Sequence, residues 1–219
     1  MKKTTTPSFI TELPLRTTPV QESTILVRLD TGRQLYNACL GESLKRLGLI
    51  LQSKEYQPIK KLPKMIEDKP NKARTVAFNK LNQKYGFREY DIHHYATGIR
   101  NSWINEHIGI HIAQKIATRA FHAVQKKAFG TAKNVRFKGK NQFDSLEGKN
   151  NQTGLIFQDN ILYWSVSRAK QTAIGWRNPS SFGFNRNPEP ERSHVKPVTS
   201  ISEAMDVVIR TDGSHRELI

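Results

Sequence analysis

The sequence predicts an α+β protein in which helices lie between a short N-terminal strand and a group of C-terminal strands. Two observations lead to this fold class. Apolar residues recur at intervals of three, four or seven over much of 19–130, as on the buried face of a helix. After Gly130 the pattern changes to the alternation that is typical of strands. The 219 residues, of which 37% are hydrophobic, suffice for one domain with a core or for two small ones.

The chain carries a large excess of positive charge. Lysine and arginine number 35 against 19 aspartate and glutamate, which gives a formal net charge of +16. Such a charge attracts polyanions, and nucleic acid is the first candidate. No run of about 18 apolar residues is available to span a bilayer, and the first ten residues lack the apolar region of a secretion signal. We therefore expect a cytoplasmic protein whose partner is nucleic acid and not a membrane.

The first predicted elements are a strand within 9–18 and a long helix after it. Thr18, Pro19 and Gln21 fit the N-cap, the first and the third helical positions, which is the capping-box pattern. The apolar face of this helix consists of Ile25, Leu29, Tyr36, Leu40, Leu44, Leu47 and Leu51. Three glycines interrupt it, each at a cost of about 1 kcal/mol in a helix interior. Either the helix has one break or its close packing needs small residues.

Three further helices are predicted before the change of pattern. A stretch rich in proline and lysine, 56–72, indicates a surface connection, and two helices follow on either side of Gly86. A third helix runs from about Ile108 to Phe129. Its apolar face is formed by Ala113, Ile116, Ala117, Ala120, Phe121, Val124 and Ala128, and the opposite stripe by Lys115, Arg119, His122 and Lys126. Because 107–143 contains eight Lys and Arg but no Asp or Glu, we expect this charge to be unpaired within the chain and to meet phosphates.

Strands are predicted after this helix. Residues 135–140, VRFKGK, alternate apolar and basic side chains. Residues 153–166 predict a β-hairpin that turns at Asp159 and Asn160. From about Lys170 onward, prolines and serines indicate a linker and an irregular tail.

Residues typical of catalytic or metal sites are few. Two histidine pairs are present, His93 with His94 and His107 with His111. They lack the further ligands of a zinc site, so we expect no metal. Asp144 and Glu147 fit a polar loop, and Cys39, the only cysteine, fits a buried thiol. An apolar stretch near the end runs into Asp212, but two-metal chemistry needs several carboxylates.

Two sets of residues resemble a known family. The first is Arg16, Pro19, Gln21, Arg33, Tyr36 and Asn37, at the end of the first strand and along the helix after it. The second is Arg136, Phe137 and Lys138. In this order and spacing they resemble the N-terminal half of the transposon-encoded TnpB (OrfB) proteins, which resemble the ancestors of the type V CRISPR effectors. The resemblance covers about 10–168.

The resemblance implies a specific architecture. An oligonucleotide-binding-like β-barrel, the wedge module, would comprise 9–18 plus 131–168, interrupted by a helical recognition insert at 19–130. Beyond the resemblance, the composition of 169–219 predicts a linker and an irregular tail. In the family these modules hold a guide RNA and contact DNA, and a RuvC-like nuclease domain with magnesium and zinc follows. Its acidic motifs and paired cysteines are missing here, so we expect neither cofactor nor catalysis in this chain.

The nucleic-acid contacts are expected on the cationic helix and the residues after it. They are Lys115, Arg119, Lys126, Lys127, Lys133, Arg136, Phe137, Lys138 and Lys140. Phe137 either stacks on an exposed base or lies in the core, whereas Tyr36, Trp103 and Phe121 are expected in the core. Two alternatives stay open. The chain is part of an active RNA-guided DNA endonuclease whose nuclease half is absent here, or it is a decayed basic protein that binds acidic proteins.

Overall fold

Residues 15–167, 170–176 and 208–210 are described by a computed structural model of the chain. The helices are α1 (Pro19–Gln52), α2 (Tyr56–Lys61), α3 (Lys72–Lys84), α4 (Glu89–Arg100) and α5 (Ile110–Ala128), with a 3-10 turn at Trp103–Glu106. The strands are β1 (Met65–Ile66), β2 (Lys69–Pro70), β3 (Ser145–Glu147), β4 (Leu155–Gln158), β5 (Ile161–Ser167), β6 (Lys170–Trp176) and β7 (Val208–Arg210). Long helices with small antiparallel sheets confirm the α+β class. No helix in the described ranges has both the length and the apolar character that crossing a membrane requires.

Helix α1 begins where the sequence predicts and continues without a break. The Oγ1 atom of Thr18 accepts a hydrogen bond from the N–H of Gln21 at 3.3 Å, and Oε1 of Gln21 accepts one from the N–H of Thr18 at 2.9 Å. This reciprocal pair is the predicted capping box. Of the two explanations for the glycines, close packing applies at Gly32. A Cβ atom there would lie 3.1 Å from the ring of Phe143 and 3.3 Å from Leu146.

The core lies between α1, α4, α5 and the strands that follow α5. Its fully buried side chains include Leu35, Cys39, Leu40, Ile92, Ile112, Val124, Leu146, Leu155, Trp164 and Ile174. Burial raises the pKa of the Cys39 thiol to about 12, so the thiol is not activated as a nucleophile. Most of the predicted apolar face of α1 is buried. Leu51, in the last turn, is exposed.

Strands β4, β5 and β6 form one antiparallel sheet. The predicted hairpin is confirmed, since Gln158 pairs with Ile161 across a two-residue turn. The turn residues Asp159 and Asn160 have φ of 50° and 61°. Asp and Asn tolerate this left-handed backbone better than most residues, and two-residue hairpin turns require it. The sequence signal and the local geometry therefore agree.

Two predictions about the C-terminal part are wrong. Residues 170–176, expected in the linker, form β6 and pair with β5. Residues 135–140, expected as a strand, lie in an irregular stretch, 131–144, that contains no strand. The apolar stretch near the end does form a strand, β7, which pairs with β3. Asp212 and most of the predicted tail lie outside the described residues.

The aromatic residues expected in the core fall into two groups. Tyr36 and Phe121 are buried, as predicted. Trp103 is 52% exposed, which contradicts the prediction. The reason is local, because α4 ends at Arg100 and Trp103 belongs to the separate 3-10 turn. Helical spacing therefore does not carry over to it.

Candidate nucleic-acid interface

A groove of about 950 Å³ runs between helix α5 and the irregular residues that follow it. The polar face of α5 forms one wall, and residues 132–138 contribute to the other. Six of the nine residues predicted to contact nucleic acid line it, namely Lys115, Arg119, Lys126, Arg136, Phe137 and Lys138. We call this surface the basic groove.

Helix α5 presents its polar face to the basic groove because its other face is buried. The buried residues are Ala113, Ile116, Ala117, Ala120, Phe121 and Val124, as predicted. Ala128, the last residue of the helix, is exposed. Beyond it, Gly130 has a φ of 77°, the left-handed backbone with which helices commonly end. The chain then continues along the groove.

The charge of the groove is partly paired within the chain, contrary to the prediction. Nζ of Lys115 lies 2.5 Å from Oε1 of Glu147 on strand β3. The stretch without acidic residues, 107–143, ends just before Glu147. A count of charges along the sequence therefore overlooks this partner. A ligand would have to compete with Glu147 for Lys115.

Arg119 is held beside the groove by polar and aromatic contacts. Its Nη1 donates hydrogen bonds to the backbone O of Ser145 at 3.1 Å and to Oγ of the same residue at 3.2 Å. Its guanidinium carbon lies 5.1 Å from the centre of the Phe143 ring. A guanidinium has five N–H donors, so several stay available to a ligand. Arg119 is thus oriented and still able to bind an anion.

The second wall is anchored to helix α1 without forming a sheet. Nδ2 of Asn37 donates a hydrogen bond to the backbone O of Lys138, and Oδ1 of Asn37 accepts one from the N–H of Lys138, both at 2.8 Å. Nη1 of Arg33, one turn earlier on α1, also donates to the O of Lys138, at 3.4 Å. The side chain of Asn37 therefore takes the place of a strand partner, which explains why this stretch is irregular and yet fixed.

Phe137 lies outside the core. Its side chain is 55% exposed, whereas Val135 is half-buried and Phe143 is buried. A Cβ atom on Gly41 would lie 3.8 Å from the ring of Phe137, so the edge of the ring rests on α1. Of the two interpretations of Phe137, burial in the core is therefore wrong. The ring is accessible to a ligand in the groove.

Three cations of the groove have no acidic partner within ion-pair distance in the part of the chain that the structure describes. They are Lys126, Arg136 and Lys138. In all, five Lys and Arg line the groove against two carboxylates, those of Asp144 and Glu147. Unpaired positive charge in a concave surface concentrates anions. The electrostatics therefore favour a polyanionic ligand.

The three other predicted contacts lie outside the groove. Lys127, Lys133 and Lys140 are exposed and do not line it. Lys140 is close enough to Asp30 to help lower the pKa of that carboxyl, although the hydrogen bond from Arg33 is the largest cause. These three lysines add to the positive field around the groove. The structure does not bring them together with the other six.

The histidines beside the groove contact Glu89. Nε2 of His93 lies 2.7 Å from Oγ1 of Thr118, which donates a hydrogen bond to Oε1 of Glu89 at 2.7 Å. Nε2 of His122 lies 3.7 Å from Oε2 of the same carboxylate. Burial lowers the pKa of His93, although Glu89 opposes this effect. Within the described ranges, no group of three or more His, Cys, Asp or Glu is arranged to hold a metal ion.

Sequence reasoning missed how the groove is held in shape. It identifies Asn37 and Arg33 only through the family resemblance, and it gives no signal for Ser145. The contacts of Asn37 and Ser145 join residues that are 101 and 26 positions apart, which no local pattern reveals.

No protein-family model, curated protein or solved structure matches this chain.

Proposed function

We propose that the basic groove binds single-stranded nucleic acid, with cations at the phosphates and one base stacked on Phe137. The observation that carries the proposal is the exposed ring of Phe137 between Arg136 and Lys138, two cations without an acidic partner among the described residues. Proteins that bind single strands combine a positively charged groove with aromatic rings on which bases stack. The basic groove has both parts.

Phosphate contacts would supply most of the affinity. Each phosphate that a Lys or Arg neutralises releases condensed counterions, so binding weakens as salt is added. Lys126, Arg136 and Lys138 can contact phosphates without first breaking an ion pair to a described residue. Arg119 is a fourth contact, already oriented by Ser145. Lys115 contributes less, because it must leave Glu147.

The accessible ring favours an unpaired base. In a duplex, each base is stacked between its neighbours and its faces are closed to a protein side chain. Stacking of an unpaired base on an aromatic ring contributes about 1 to 3 kcal/mol. A duplex in the same groove would gain only the phosphate contacts. Single strands should therefore bind more tightly than a duplex of the same sequence.

We further propose that the chain is the guide-RNA-binding N-terminal region of a TnpB-like protein and has no catalytic activity of its own. Support comes from the contact between the two sets of residues that carry the resemblance. Asn37 and Arg33 of the first set bond to Lys138 of the second. A shared contact is a physical reason for the two sets to occur together in one chain.

The wedge barrel belongs to the same proposal. Residues at the start of α1 lie beside β6, where Nε2 of Gln21 donates a hydrogen bond to the O of Ala173 at 3.2 Å. Arg16 takes part in a β-bridge, and its backbone O lies 3.2 Å from where a Cβ of Gly175 would be. These contacts support a barrel that the predicted N-terminal strand closes. Residues 9–14 of that strand lie outside the described residues.

Fluorescence anisotropy with labelled oligonucleotides tests the proposed function. Single-stranded RNA and DNA are titrated with the protein at several salt concentrations, beside a duplex of the same sequence. We expect single strands to bind more tightly, with a plot of log K against log salt whose slope is about −2 to −3, as three or four phosphate contacts predict. The Phe137→Ala variant should lose about tenfold in single-strand affinity and keep the same slope.

Other outcomes would contradict the proposal. Absence of salt-sensitive binding to any of these oligonucleotides excludes a nucleic-acid site. Polyglutamate and unlabelled RNA can be compared as competitors at equal concentrations of negative charge. If polyglutamate displaces the labelled RNA equally well, the result favours the alternative of a protein that binds acidic proteins. Tighter binding of the duplex contradicts stacking on Phe137.

A further inference from the structure

The amide of Asn37 forms a two-point contact with the peptide backbone of the groove wall. Its Nδ2 donates a hydrogen bond to the O of Lys138, and its Oδ1 accepts one from the N–H of Lys138, both at 2.8 Å. We call this contact the amide clamp. It joins the middle of α1 to a stretch, 131–144, that has no strand of its own. The clamp therefore replaces the ladder that would otherwise hold this backbone.

The clamp lies at the residues that the proposed function uses. Lys138 is the clamped residue itself, and Phe137 precedes it directly in the chain. Fixing the peptide of Lys138 limits the directions in which both side chains leave the backbone. On the other side, Oε1 of Gln142 accepts a hydrogen bond from the N–H of Gly139 at 2.9 Å. The backbone is thus held at two consecutive residues, beside the point where the ligand would bind.

A groove wall that is already ordered binds a flexible ligand more tightly than a mobile wall does. Ordering a backbone costs conformational entropy, whether folding or binding brings it about. Where the fold has already ordered the wall, this entropic cost no longer reduces the free energy of binding. We infer that Asn37 is a positioning residue of the basic groove, which holds Phe137 and Lys138 in place for the nucleic acid. This inference rests on the proposed function.

The chain contains a matched control for the amide clamp. Nδ2 of Asn151 donates a hydrogen bond to the backbone O of Phe157 at 3.1 Å, and Oδ1 of Asn151 accepts one from the N–H of Phe157 at 2.7 Å. This contact has the same donors and acceptors as the amide clamp. Its partner lies at β4, and neither residue lines the basic groove. A substitution of Asn151 can therefore lower the stability of the protein without changing the position of Phe137 or Lys138.

The experiment is a double-mutant cycle on single-strand affinity, measured by anisotropy with labelled RNA. Asn37→Leu removes both hydrogen bonds and is introduced into the wild type and into the Phe137→Ala/Lys138→Gln background. We expect it to weaken binding about tenfold in the wild type and less than about twofold in that background, because coupled residues are not additive. Asn151→Leu should leave the affinity unchanged, even where its melting temperature falls as far as that of Asn37→Leu.

A second variant keeps the test informative if Asn37→Leu does not fold. Asn37→Ala also removes the clamp, and the better helix propensity of alanine offsets part of the lost folding free energy. Equal losses of affinity for an Asn37 variant in both backgrounds overturn the inference, as does an equal loss for Asn151→Leu. If Phe137→Ala weakens binding but the Asn37 variants bind as tightly as the wild type, Asn37 is not a positioning residue and the proposed function stands. If the wild type binds no oligonucleotide, both fail.

Discussion

Replacing Lys126, Arg136 and Lys138 together with glutamine is expected to weaken single-strand binding by about a hundredfold or more. A hydrogen bond contributes on average about 1 kcal/mol net, and more where a charged group takes part. Three lost contacts therefore amount to about 3 kcal/mol or more, and every 1.4 kcal/mol is about tenfold in affinity. The slope of log K against log salt should fall in magnitude by about 2, from roughly 0.7 for each lost contact with a single strand. Because none of the three has an acidic partner among the described residues, the folding free energy should change little.

A control variant that loses the same number of charges separates the effect of the groove residues on affinity from the effect of the net charge. Lys54, Lys72 and Lys80 are exposed, carry no ion pair to a described residue and do not line the basic groove. Their joint replacement by glutamine lowers the net charge by the same amount. We expect less than about a tenfold loss of affinity from it, since distant charges are largely screened at physiological salt. Equal losses from the two triple variants would contradict a localised site.

Replacing Trp164 with alanine is expected to cost about 3 to 5 kcal/mol of folding free energy, as for other large aromatic residues in cores. Trp164 is fully buried on β5. The guanidinium carbon of Arg28 lies 5.1 Å from the centre of its ring. Two of the three side-chain nitrogens of Arg28 have no hydrogen-bond partner in the described ranges, although the residue is only 4% exposed. Loss of the ring would leave this buried cation with less support, which adds to the cost of the cavity.

Urea denaturation followed by circular dichroism measures this effect, and a second tryptophan provides the control. Trp103 is more than half exposed, so Trp103→Ala should change the free energy of unfolding by no more than about 0.5 kcal/mol. The two variants remove the same side chain from a buried and an exposed position. A Trp164→Ala protein whose stability lies within about 1 kcal/mol of the wild type would contradict the burial of Trp164 beneath Arg28 of α1.

The parts of the fold that follow from the sequence are those with short-range causes. The start of α1 depends on Thr18 and Gln21, and the hairpin depends on Asp159 and Asn160. The buried and polar faces of α5 follow from helical spacing alone. In each case the residues that decide the structure lie within a few positions of one another, and a pattern can therefore indicate them.

The parts that could not be predicted depend on partners distant in the chain. The alternation at 135–140 is typical of a strand, but the backbone of Lys138 is bonded by a side chain of α1 instead. Lys115 belongs to an acid-free stretch, yet pairs with Glu147 across the helix–strand contact. Of the candidate site, the sequence therefore identified the groove's cations and Phe137, and missed the contacts that orient them.

The central claim is that a base of a single strand stacks on Phe137 in the basic groove. Four aromatic side chains of the described surface are well exposed, namely Tyr90, Trp103, Phe129 and Phe137. Ultraviolet crosslinking to a bound oligonucleotide, followed by mass spectrometry of the peptides, reports which ring contacts a base. The crosslink is expected in the peptide that contains Phe137 and should disappear in the Phe137→Ala variant. Crosslinks confined to the peptides of Tyr90, Trp103 or Phe129, or none at all under conditions of saturating binding, would contradict the claim.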